Sequence, residues 1–392
     1  MLKKIRKVIY FIFKWLPIKK KIIFESQLDY FDNSKALFEK MIELELYKNY
    51  EFYWILEKDG MVCCPEHSKS IDIYKSNNIF KLFINEIKLS YHLNSAEYIF
   101  FSYLNFVRLI PKENQNVINL THGTSLKDTR GKYIDVRYST NVITLSEFAS
   151  NLRSKSLLGG RSKMISLGFP RNDLLFNTDK QAILNSFNID LNDYTKIIMW
   201  MPTFRRSKLR NDNNTNLKHD LPIFKDKSEL EFLEKKIEEN KILLIIKPHP
   251  GQDLNYFSAF KNEHILVLTN SDFEDKNIEL YEFLSITDSL ITDYSSVYID
   301  YLLTEKPIGF TIDDLEDYKN GLGFLIDNPK NYMPGQMIKT SSDFIDFIED
   351  LNNDNDNYKD EREKMLNLFH NQKDGKSSER ILKYFNLIKE NK

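Results

Sequence analysis

Two cysteines are all that this 392-residue chain contains, and they are neighbours, Cys63 and Cys64. Adjacent cysteines are poorly placed for a structural bridge, so a disulfide scaffold is excluded and a reducing compartment is expected. No Gly-x-Gly-x-x-Gly follows a strand pattern and no Gly-x-x-x-x-Gly-Lys-[Ser/Thr] occurs, which disfavours a dinucleotide dehydrogenase and a P-loop enzyme. His-Glu-x-x-His and paired-cysteine zinc spacings are missing as well. Excess charge of one sign is lacking: 55 Lys and Arg against 57 Asp and Glu leave a net −2, so nothing global points to nucleic acid. Long apolar runs are lacking too. A membrane span needs roughly 20 apolar residues, and the run from Val8 to Phe13 with Trp15 and Leu16 is about half that.

What is present begins with local charge. Residues 1–21 hold Lys3, Lys4, Arg6, Lys7, Lys14, Lys19, Lys20 and Lys21 with no acid among them. No small-residue cleavage site follows, which argues against a signal peptide. Basic flanks around aromatic and aliphatic residues suit a helix lying in the headgroup region of an anionic leaflet, the alternative being an ordinary buried helix before the first strand.

The length exceeds one ordinary core, so two domains are expected. Apolar runs at 21–26, 52–56, 98–102, 117–120, 142–145 and 164–167 read as strands. Helices are expected near 79–93 and 146–157, and another over Leu37, Met41, Leu44 and Tyr47, capped by Asn33 or Ser34. A second series follows at 196–201, 242–247, 265–268, 289–292 and 307–310. An amphipathic helix from Glu379 closes the chain. Alternating strands and helices imply an α/β fold of two Rossmann-like, doubly wound domains facing a cleft. The expected divisions are a basic segment at 1–20, an N-terminal domain at 21–168, a C-terminal domain at 169–376 and a terminal helix at 377–392. Asp354-Asn355-Asp356 has the form of a metal-binding acidic pair, but it sits in an Asn-rich stretch with no preceding strand and reads as a solvated loop.

Four of these strands end abruptly in polar clusters. Val117–Leu120 runs into Thr121-His122-Gly123-Thr124, and Ile197–Met201 into Pro202-Thr203-Phe204-Arg205-Arg206. Ile242–Ile246 meets Lys247-Pro248-His249-Pro250, and Ser289–Thr292 meets Asp293-Tyr294-Ser295-Ser296. Ligands of open α/β sheets bind beyond the carboxyl ends of the strands, so histidines, cations and hydroxyls would all be delivered there. The combination suits an anionic, phosphate-bearing substrate. His122, beside a glycine that admits close approach, is a candidate catalytic residue. His249, stiffened by flanking prolines, is another. Arg205 could clamp a phosphate bidentately. Asp293 reads as the N-cap of a helix whose first turn, with Ser295 and Ser296, forms an anion site.

These clusters resemble the CDP-glycerol glycerophosphotransferases of teichoic acid and capsule synthesis. The resemblance covers His122-Gly123-Thr124 with Lys127, Gly168-Phe169-Pro170-Arg171-Asn172-Asp173, Pro202-Thr203-Phe204-Arg205, Lys247-Pro248-His249-Pro250 and Thr292-Asp293-Tyr294-Ser295-Ser296. It extends to Phe24-Glu25-Ser26, Asn33–Leu37 and the closing Asp374-Gly375-Lys376-Ser377-Ser378-Glu379-Arg380-Ile381. It implies a GT-B arrangement, with the cytidine nucleotide on the C-terminal domain, the acceptor on the N-terminal one, and peripheral attachment at the cytoplasmic face of the membrane. Thr121 and Ser125 depart from the family pattern on the acceptor side.

The expectations are then specific. Glycerol phosphate or a related polyol phosphate passes from a CDP-activated donor to a hydroxyl of a lipid-linked glycan or polymer, releasing CMP. His122 and His249 are the catalytic pair, His122 acting as general base. Arg171, Thr203, Arg205, Lys247, Asp293, Ser295 and Ser296 face the donor, and Gly123, Thr124 and Lys127 the acceptor. No tightly bound cofactor and no metal site are expected, with dependence on a divalent cation left open. A nucleotide-sugar transferase on the same scaffold and a non-catalytic nucleotide-binding scaffold are the alternatives.

Overall fold

The computed structural model describes residues 2–27, 29–57, 64–73, 78–103, 110–128, 130, 138–156, 162–202, 222–224, 227–249 and 263–389, with the side chains of 2–7, 79 and 227 excepted. The chain divides into two units. The first comprises residues 1–124, 130–173 and 374–392, and the second 125–129 and 174–373.

The first unit is built on seven strands: β1 (Lys19–Glu25), β2 (Glu51–Leu56), β3 (Ser68–Asp72), β4 (Ala96–Phe101), β5 (Asn116–Asn119), β6 (Asn141–Thr144) and β7 (Lys163–Ser166). Their order is β3-β2-β1-β4-β5-β6-β7, and every pairing is parallel. Ile22, Ile23 and Phe24 are fully buried in succession, the mark of a strand covered on both faces. Helices α1 (Leu2–Phe13), α2 (Asp32–Glu43), α3 (Ile79–Ser95) and α4 (Glu147–Ser156) belong to this unit. Phe24 stacks on Trp54 and Phe100 and meets Phe38 edge-on, anchoring α2 to the sheet.

The second unit carries β8 (Lys196–Trp200), β9 (Ile242–Ile246), β10 (Ile265–Val267), β11 (Ser289–Thr292), β12 (Ile308–Thr311) and β13 (Gln336–Ile338), in the order β10-β9-β8-β11-β12-β13 and all parallel. Its helices are α5 (Lys180–Ser186), α6 (Lys227–Glu239), α7 (Asn270–Asp275), α8 (Leu280–Ile286), α9 (Val297–Tyr301), α10 (Leu315–Gly321), α11 (Ser341–Asn352) and α12 (Lys359–Phe369). Trp200, Phe224 and Phe344 knit β8 to α11. The last helix, α13 (Ser377–Tyr384), belongs to the first unit.

Both sheets are doubly wound, as the alternation of elements implied. The strand order reverses between β1 and β4 in one and between β8 and β11 in the other, the two places where such sheets bind ligands. Several local expectations differ from the outcome. β3 and β13 were missed because Ser68–Asp72 is polar and Gln336–Ile338 is three residues long. Helix α2 ends at Glu43, so Leu44 is its C-cap and Tyr47 lies in a following 3₁₀ turn. The divide expected at 168/169 falls at 173/174, residues 374–392 return to the first unit, and 125–129 go to the second. The reason for the last is local: Leu126 and Asp128 hydrogen-bond Leu325 and Gly323, and Lys127 pairs with Phe324.

Helix α1 rests on α3; Ile9 is buried and Phe13 meets Tyr91 edge-on. Its other side shows Val8, Phe11 and Ile12, with Trp15 just beyond, at 60%, 68%, 64% and 84% exposure. Among the described residues no helix is long and apolar enough to cross a membrane. The Asp354–Asp356 loop is exposed, and its acids pair with cations rather than with each other: Asp354 with Lys196 at 2.6 Å, and Asp356 with Arg362.

Candidate active site

In the first unit the constellation forms past the carboxyl ends of three strands. β1 leads to Asp32 at the head of α2, β5 to His122, and β7 to the Pro170–Leu175 turn that carries Arg171. His122 Nδ1 lies 2.7 Å from Asp32 Oδ2, and Arg171 Nη1 donates to Asp32 Oδ1 at 2.6 Å. The same Nη1 reaches the carbonyl of His122 at 3.2 Å.

Asp32 is fully buried. Burial opposes its ionisation, but the Arg171 guanidinium and His122 outweigh it and hold the carboxyl well below the usual carboxylate range. A carboxylate only accepts hydrogen bonds, so Nδ1 of His122 carries a proton, and in the neutral imidazole the lone pair is then on Nε2. The imidazole is 52% exposed while Asp32 and Arg171 are almost wholly covered. A basic nitrogen is thus presented to solvent on a rigid, charged support.

The backbone around this group is strained. Thr121 (φ +59°) and Asp32 (φ +63°) occupy the left-handed region, and Gly123 (φ +132°) a conformation that a side chain would resist. Such outliers persist only where surrounding contacts over-determine them, and they cluster at functional sites. Here Asn33 supplies the contacts. Its Nδ2 donates to the carbonyls of Thr121 (3.0 Å) and Leu120 (3.4 Å), and its Oδ1 accepts from the Arg171 N–H (3.1 Å). Neither Asn33 nor Ser34 caps α2, contrary to expectation: Ser34 Oγ donates to the Glu25 carbonyl at 2.7 Å. Both side chains are spent on joining strand ends. Arg171, assigned to the donor, lies beside Asp32 and His122. Thr124 is buried after Gly123.

In the second unit Lys247 follows β9. Its Nζ donates to Asn270 Oδ1 at 2.6 Å and lies over the Phe273 ring. Burial pulls its ammonium down to about 8, against the opposing pull of Asp272. His249 is exposed two residues further on. Asp293 is fully buried beyond β11, with Ser295 and Ser296 half-exposed beside it. It is not the N-cap expected: α9 begins at Val297, its N-cap is Ser296, and no side chain caps it. At five residues the helix is too short for its terminus alone to be an anion site. Lys127 lies in this unit, its ammonium over the Tyr318 ring. Thr203 and Arg205 lie outside the described residues. Among the described residues no group of three or more His, Cys, Asp or Glu could hold a metal ion.

Asp32 was missed by sequence reasoning. Its signal, an acid between the first strand's exit and an amphipathic helix, was absorbed into a capping reading of its two neighbours.

Comparison with known proteins gives a family and a fold. The sequence profile of the CDP-Glycerol:Poly(glycerophosphate) glycerophosphotransferase family matches residues 8–386. The chain is 26% identical over 381 residues to the teichoic acid poly(glycerol phosphate) polymerase of Bacillus subtilis, spanning 90% of this chain and 46% of that one. It is 27% identical over 399 residues to the teichoic acid poly(ribitol-phosphate) polymerase of Bacillus spizizenii, spanning 95% of this chain and 57% of that one. The chain thus spans about half the length of these two relatives. A solved structure of the wall teichoic acid polymerase TagF, soaked with CDPG, superposes with a TM-score of 0.75 at 23% identity, covering 98% of this chain and 94% of that one. That likeness places the fold among GT-B-like enzymes.

Proposed function

This chain belongs to the CDP-glycerol:poly(glycerophosphate) glycerophosphotransferase family, and from that membership we propose that it transfers a polyol phosphate from a CDP-activated donor to a hydroxyl of a lipid-linked glycan or polymer in teichoic acid synthesis. The observation that carries the reading is the His122–Asp32–Arg171 group: an exposed imidazole with Nδ1 tied to a buried, ionised carboxylate.

The chemistry follows from that group. The acceptor hydroxyl gives its proton to His122 Nε2 as its oxygen attacks the β-phosphorus of the donor. The bond from that phosphorus to the bridging oxygen breaks, and CMP leaves with the electron pair. Asp32 stabilises the imidazolium that forms. Charge building on the phosphoryl oxygens calls for fixed cations and donors. Lys247, His249, Ser295 and Ser296 are suited to supply them, with Thr203 and Arg205 assigned to the same role. Gly123, Thr124 and Lys127 are assigned to the acceptor. Relatives named for poly(glycerol phosphate) and for poly(ribitol-phosphate) both support a polyol donor.

The protein works at the cytoplasmic face of an anionic membrane, held peripherally. The exposed stripe of Val8, Phe11, Ile12 and Trp15, set among basic residues, supports this. Offering CDP-glycerol, CDP-ribitol, UDP-sugars and CMP-sialic acid with a lipid-linked glycan acceptor, and identifying the nucleotide freed, tests the reading. Release of CMP from a CDP-polyol is expected. Release of UDP alone would overturn it.

A further inference from the structure

The closing motif Asp374–Ile381 is too far along the chain to be read as part of the His122 site, yet it belongs to the same unit. Asp173 stands two residues after Arg171 in the same 3₁₀ turn. Its carboxylate accepts the first two N–H groups of α13, from Ser377 at 2.7 Å and Ser378 at 2.8 Å. Four N–H groups at a helix start lack partners within the helix, and a carboxylate there is favoured by the helix dipole as well.

Further contacts hold α13 in this place. Arg380 Nε donates to the carbonyl of Leu167 at 3.0 Å, while its Nη1 reaches Asp374 at 2.5 Å and its Nη2 Ser377 Oγ at 3.1 Å. A Cβ on Gly168 (φ +86°) would stand 2.3 Å from Ser377 Oγ, and its left-handed backbone strains any other residue, so glycine suits this close approach of the helix. At the far end Tyr98 OH donates to the Phe385 carbonyl at 2.9 Å. Helix α13 also packs on α2, where Glu379 lies 3.7 Å from Lys40. It therefore touches both elements that support His122: α2, which carries Asp32 and Asn33, and the turn that carries Arg171.

We propose that α13 is a positioning element for the catalytic histidine, with Asp173 as the positioning residue that locks the Arg171 turn against Asp32. The proposal rests on the reading of His122 as the base. Neither Asp173 nor α13 touches the reacting atoms. They act by holding Arg171, and through it Asp32 and His122, in one arrangement. Misplacement of a catalytic group by about 1 Å can cost about 10²-fold in rate.

The test compares wild type with Asp173→Ala, with Asp173→Asn as the isosteric variant should the first not fold, and with Lys383→Ala on the outer part of α13 as control. Turnover and donor KM are measured with CDP-glycerol, and the His122 Nδ1 proton, assigned by its loss in His122→Gln, is followed by NMR. The Asp173 variants are expected to lose about 10²-fold in kcat with donor KM within about twofold of wild type. They should also broaden or lose the low-field Nδ1 proton signal at temperatures where they remain folded, and Lys383→Ala should change neither. An unaltered Nδ1 signal and kcat in folded Asp173 variants would overturn the proposal, as would a rise in KM with kcat intact. If wild type itself frees no CMP, the functional reading fails, and the NMR comparison still decides this one.

Discussion

Asp32 divides its two carboxylate oxygens between two partners: Oδ1 accepts from Arg171 at 2.6 Å and Oδ2 lies 2.7 Å from His122 Nδ1. One buried acid thus fixes both the tautomer of the exposed imidazole and the charge balance beneath it. That division of labour has measurable consequences.

Asp32→Asn should lower turnover by about 10²–10⁴ without abolishing donor binding, because an amide can donate to Nδ1 and favour the tautomer that lacks a basic Nε2. Single-turnover release of CMP is the measurement. Activity near wild type would remove Asp32 from the mechanism.

The same substitution leaves the Arg171 guanidinium buried beside a neutral group. Breaking a buried pair by removing one partner costs about 3–5 kcal/mol, to be read as a fall in the urea midpoint at neutral pH.

The folded-state pKa of Asp32 is depressed, so its stabilising contribution is complete above the unfolded value of about 4 and fades as pH falls from there toward the folded value. The stability gap between wild type and Asp32→Asn should therefore be constant from pH 7 to about 5 and narrow at pH 3 and below. A gap that is unchanged at pH 2.5 would contradict the assigned ionisation.

Lys247 sits near 8 in the free protein, and a bound pyrophosphate would raise that value by favouring the ammonium form. Donor binding should then take up a proton at pH 8–9, and affinity should weaken as pH rises through that range. Calorimetry in two buffers of different ionisation enthalpy detects the uptake. Equal heats in both, together with unchanged affinity in Lys247→Met, would place the donor phosphates elsewhere.

Partition onto anionic vesicles should weaken with added salt, since exposed charges are screened. It should fall sharply in Phe11→Glu/Trp15→Glu, while turnover on a soluble acceptor analogue stays unchanged. Binding that ignores both salt and this substitution would exclude the stripe as the membrane contact.

Much of the architecture was legible in the chain because buried parallel strands announce themselves locally. Ile197–Met201, Ile242–Ile246 and Ser289–Thr292 are continuous apolar runs, and each lies within one residue of an observed strand. Lys247 and Asp293 after two of them, and His122 after β5, fall at carboxyl edges for the same reason: alternating strands and helices dictate which end of a sheet a loop belongs to. The short or polar strands β3 and β13 carry too little apolar pattern to be read this way, and they exist because a neighbouring strand offers a ladder to join.

The partners of His122 were beyond local reading. Asp32 is 90 residues away from it, Arg171 is 139 residues from Asp32, and Ser377 is 204 residues from the Asp173 that clasps it. Read locally, Asn33 and Ser34 are helix caps and Asp173 is a turn residue. Only the folded sheet, by bringing the ends of β1, β5 and β7 to one edge, leaves those side chains facing unmet backbone groups and charges from distant segments. The sequence by itself determined the strands and the polar clusters that follow them, His122 among them, but not Asp32. The tertiary structure decided which residues support one another, because burying a charge is tolerable only where a partner from elsewhere in the chain meets it.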